Sequence, residues 1–72
     1  METKRDKFVR LAEARTNKII DMIRLLSNCS NKSNYDYTEA DVQKIFSTIE
    51  KELKNAKIKF SVSENEDEKF RL

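Results

Sequence analysis

"SNCSNKSNYDYTEAD", residues 27–41, decides the fold. Three Ser-Asn pairs run in succession, two tyrosines follow, and then comes Thr-Glu-Ala-Asp. The chain has no glycine and no proline to punctuate it, so Ser and Asn must make the break. Asn tolerates the left-handed conformation that normally favours glycine. Ser and Asn side chains also hydrogen-bond nearby backbone groups and so form turns. Asn28 is therefore expected to end one helix in that conformation, with residues 28–37 as the loop. Thr38 reads as the N-cap of the next helix, its hydroxyl accepting an orphan backbone N–H while Asp41 reaches back. Tyr37 and Val42 fit a hydrophobic staple across that cap. Glu39 and Asp41 suit the positive end of the helix dipole.

Outward from this break, two helices are predicted. The first covers 4–27, because Val9, Ala12, Thr16, Ile19, Ile23 and Leu26 recur at steps of three and four and so share a face. Phe8, Met22 and Leu25 widen it. The second covers 38–60, with Val42, Phe46, Ile49, Leu53, Ala56 and Phe60 as its stripe and Ile45 thickening it. Lys51, Lys54, Lys57 and Lys59 load its last turns, where cations are favoured. Residues 61–72 hold no sustained stripe and read as an acidic, mobile tail, in which Phe70 and Leu72 could dock elsewhere.

The fold class expected is all-α. The two stripes allow an antiparallel hairpin in which Leu26 faces Val42, Ile23 faces Ile45, Ile19 faces Ile49, Ala12 faces Ala56 and Phe8 faces Phe60. Leu11, Ile20, Met22, Leu25, Ile45 and Ile58 remain at its sides. Covering them calls for a second hairpin, hence a four-helix-bundle homodimer or a higher oligomer. Size points the same way. Seventy-two residues make one small domain, and such a chain buries only about 60% of its unfolded surface. A single cysteine, Cys29, excludes an internal disulfide, and with no histidine a zinc site cannot be built. Self-association is the remaining source of burial.

Charged residues make up 39% of the chain and the net charge is +2. Residues 1–28 carry seven positive and four negative charges, and residues 61–72 carry two and four. The balance grades from a basic start to an acidic end. No apolar run reaches membrane-spanning length and no signal-peptide core is visible, so the expectation is a cytoplasmic protein with no membrane partner. The glycosylation sequons at Asn28 and Asn31 carry no meaning without secretion.

The absence of glycine removes the P-loop and the dinucleotide fingerprint. The absence of histidine removes the commonest general base. No enzyme, cofactor or metal is expected. Cys29 reads as a small buried hydrophobe with no base to activate it. Glu64, Glu66, Asp67 and Glu68 read as a solvated acidic run.

Binding remains. Loops on a rigid scaffold often carry it, and Ser, Asn and Tyr supply adaptable hydrogen bonds with aromatic surface. The candidate partner-binding residues are Arg24, Asn28, Asn31, Lys32, Asn34, Tyr35 and Tyr37, against a bland alternative in which the loop is only a turn pinned by its tyrosines. The alternative partner is nucleic acid, met by Lys4, Arg5, Lys7, Arg10, Asn17, Lys18 and Arg24. Asp21 interrupts that side. Arg15, Thr16, Asn17 and Lys18 set a polar patch in the middle of helix one. The favoured reading is a boundary arginine whose stem packs while its head reaches water; the alternatives are a polar layer of Arg15 and Asn17 that fixes register, or a small-ligand site at a dimer seam. "RLLSNCSNKSNYDYTEADVQKIF", residues 24–46, resembles a stretch of small, uncharacterised bacterial and mobile-element helical proteins. That resemblance implies a bacterial or phage origin and transfers no activity. The function expected is a non-enzymatic, self-associating helical protein that binds another macromolecule, an unidentified protein, through its loop end.

Overall fold

The computed structural model describes the backbone of residues 1–69 and the side chains of residues 1–61. All regular structure among them is helical, in the order α1 (Lys4–Ser27), a 3-10 turn (Asn28–Ser30) and α2 (Glu39–Lys69). The chain divides into two units at the Asp36–Tyr37 bond.

The first unit holds α1 and the turn. Thr3 caps α1 from an extended conformation, with φ −79° and ψ 169°. Its Oγ1 accepts the Asp6 N–H at 3.0 Å, and Asp6 Oδ2 accepts the Thr3 N–H at 3.3 Å. Two orphan donors of the first turn are thereby satisfied together. At the other end Ser27 Oγ donates to the Arg24 carbonyl at 2.7 Å. The Asn28 N–H points at the carbonyls of Arg24, Leu25 and Leu26. Such shared bonds tighten a helix end into a 3-10 turn.

This exit corrects one expectation. Asn28 is right-handed, with φ −65° and ψ −20°, and no described residue has a positive φ. The helix does not stop by reversing its hand. It tightens, and the chain leaves at Asn31 with φ −73° and ψ 100°.

The second unit begins with the same four-residue device. Thr38 Oγ1 accepts the Asp41 N–H at 3.1 Å and Asp41 Oδ2 accepts the Thr38 N–H at 2.9 Å. The cap expected from Thr38 and Asp41 is present. α2 continues to Lys69 rather than ending at 60. Glu, Asp and Lys in this stretch tolerate a helix, and there is no glycine or proline to end it. Phe70 and Leu72, expected to dock elsewhere, lie outside the described residues.

No described residue of either unit is buried. Val9, Leu11, Ala12 and Leu26 on α1, and Tyr37 and Val42 around the start of α2, are half-buried. The rest of both stripes is open, with Met22 at 59% and Phe60 at 67% exposure. Helix propensity and caps alone make marginal helices in water, and packing of an apolar face supplies most of the stability of helices in proteins.

Candidate partner-binding turn

The turn after α1 is built around Asn31. Its carbonyl accepts the N–H groups of Asn34 at 3.1 Å and Tyr35 at 3.0 Å. Its side-chain Oδ1 accepts the Ser33 N–H at 3.0 Å. One asparagine thus satisfies three successive backbone donors, which is the local reason the sequence needs no glycine here. Around this hub Arg24, Asn28, Lys32 and Asn34 are exposed, and Tyr35 is open over half its surface, at 51%. Arg24, Asn28, Asn31, Lys32, Asn34 and Tyr35 all belong to the first unit. Tyr37 belongs to the second, immediately before the Thr38 cap, and is half-buried.

The chemistry available is binding chemistry: amide donors and acceptors, two cations in Arg24 and Lys32, one carboxylate in Asp36 and an aromatic face. Cys29 lies in the 3-10 turn and is exposed, which overturns its reading as a buried hydrophobe. Its small side chain projects from a turn with nothing packed over it. No cluster of three or more His, Cys, Asp or Glu residues able to hold a metal occurs among the described residues.

The basic residues of α1 do not form one surface. At about 100° per residue, Lys7, Arg10, Asn17 and Arg24 share a side. Lys4 and Arg5 lie on the apolar side, and Lys18 stands between. Arg5 sits over the Phe8 ring, 5.8 Å from its centroid, within cation–π range. Arg10 is engaged by Glu2 through Nε to Oε1 at 2.7 Å and Nη2 to Oε2 at 3.2 Å. That hydrogen-bonded carboxylate raises the Arg10 pKa above the ordinary arginine value. Glu2 is the participant that helical spacing does not flag, since it precedes the helix. A shallow groove beside Arg10 is lined by Asp6, Val9, Glu13, Ala14 and Asn17, so the side mixes both signs of charge.

Arg15 and Asn17 lie on different sides of α1. α1 is continuous through both, and residues two apart on a helix do not face each other. Asn17 belongs to the mixed-charge groove and Arg15 to the apolar side.

No described helix is long and apolar enough to cross a membrane. No family model matches the chain, and no curated protein or solved structure matches it. Function is therefore argued from the site.

Proposed function

We propose that this is a small non-enzymatic helical protein that self-associates and acts by binding another protein through the turn after α1. It works in the cytoplasm of a bacterium or a phage-infected cell. Two copies bring their four helices together as an antiparallel four-helix-bundle homodimer. The observation that carries the binding role is the Asn31 hub, which braces the turn with three hydrogen bonds while Tyr35 stays half open. A turn held in one shape costs little further ordering on binding, and a rigid aromatic gives contact area at low entropic cost. The self-association role is supported by the exposed apolar faces of both helices.

The test is capture of the partner from the native host, followed by Tyr35→Ala and Lys32→Ala. Both variants keep their helicity and assembly while binding is lost. Retention of binding by both sinks the assignment of the turn.

The alternative is nucleic-acid binding by the side of α1 that carries Lys7, Arg10 and Arg24. It draws support from the shared side of these cations and is opposed by Glu2, Asp6, Glu13 and Asp21 around them.

A further inference from the structure

The charges around the two apolar faces are sorted by sign. Along α1, Phe8, Ala12, Arg15, Ile19, Met22 and Leu26 fall on one line, three and four residues apart. At about 100° per residue, the charges within a quarter-turn of that face are Lys4, Arg5 and Arg15, with Lys18 at its edge. None is acidic, and Asp6, Glu13 and Asp21 lie on the far side. α2 reverses the pattern. Its line is Val42, Phe46, Ile49, Leu53, Ala56 and Phe60. Glu39, Glu50 and Glu52 stand within a quarter-turn of it, and Lys57 is the one cation among them. Asp41 and Lys59 are at the edges, and Lys44, Lys51 and Lys54 are behind.

We propose that the apolar face of α1 docks on the apolar face of α2 from a second copy of this chain, running antiparallel, with Arg15 meeting Glu52. This rests on the self-association reading above and specifies its geometry. Packing α1 on α1 would bring two cationic frames together, and α2 on α2 two acidic ones. Charges flanking an apolar seam select partners in this way, by repulsion as much as by attraction.

The pair follows from register and flank. In the antiparallel register that sets Phe8 against Phe60, Arg15 comes level with Leu53, one residue from Glu52. Helix handedness then places Arg15 and Glu52 on the same flank of the seam. Among the described residues, neither side chain makes a hydrogen bond or ion pair. The Arg15 stem covers apolar surface while its guanidinium reaches the rim, where a carboxylate accepts it in a two-pronged bond. Arg15, out of place on an apolar line, becomes the residue that names the partner.

The experiment is sedimentation equilibrium on the full chain, with circular dichroism confirming helicity. It compares the wild type, Arg15→Glu, Glu52→Arg, the double exchange, and an equimolar mixture of the two single variants. Each single variant is expected to weaken association about tenfold or more, since attraction turns to repulsion at two symmetry-related places. The double exchange restores association. So does the mixture, because each copy then offers the other an opposite charge at both places. Rescue by the double exchange but not by the mixture would put the pair within one chain and overturn the proposal. Single variants that associate as well as the wild type, or better, would also overturn it in favour of like-on-like docking. A wild-type chain that stays single at every concentration would instead bring down the self-association reading on which this rests.

Discussion

Thr38 is the residue that starts the second half of the molecule. Its hydroxyl and the Asp41 carboxylate close two short bonds across the first turn of α2. Thr38→Ala removes the acceptor and is expected to destabilise α2 by about 1 kcal/mol, with Thr38→Ser recovering most of it. Urea titration followed at 222 nm measures both. Thr3→Ala should cost α1 a similar amount, because its cap has the same residues at the same spacing. The cap at Thr38 is readable from sequence because the whole device spans four residues. That at Thr3 is equally local, but it precedes the first apolar residue of the stripe, so periodicity does not flag it. Cys29 is the opposite case. Whether a thiol is covered depends on what stands over it, which no local pattern encodes. As the exposed group it is, it should react fully with a thiol reagent under native conditions. Protection lifted only by denaturant would contradict that exposure.

At the scale of the element, both helices are legible in the spacing of their apolar residues, while their ends are not equally so. α1 ends where Ser and Asn compete for the backbone, and competition of that kind is visible in composition. The hand of the exit was not visible, because Asn supports both a left-handed stop and the 3-10 tightening that Asn28 adopts. α2 runs on because an acidic, polar run fits a helix and a loop equally well when no glycine or proline decides. The cations of α1 divide between its two sides, which bears on the nucleic-acid alternative. Glu2→Gln would release Arg10 from its ion pair. If α1 meets phosphates, this change should tighten binding to a DNA duplex, and the affinity should fall steeply with added salt. A polarisation titration at two salt concentrations reads both effects. No binding at low salt removes the alternative.

For the whole molecule, the open apolar faces set the expected behaviour. With no buried residue among those described, helicity should grow as copies cover one another. The melting temperature should then rise with protein concentration, since association stabilises the folded form by mass action. Circular dichroism melts at increasing concentration test this. A fully helical, concentration-independent single chain at micromolar dilution is the contrary result. The turn is the site component that sequence does expose, because Asn31 and its neighbours make their own local bonds. What covers each helix is not exposed in the same way, because that depends on residues far apart in the chain.

The repeated Thr-x-x-Asp cap has a kinetic consequence. Each helix begins on a device closed within its own first turn, so neither must wait for the other to nucleate. Winding of the separate rods then belongs to the sub-microsecond to microsecond range of helix–coil relaxation. If copies associate as proposed, the slow event is their encounter, which is second order in chain. Stopped-flow traces should therefore split into an early burst of ellipticity and a later phase that quickens with dose.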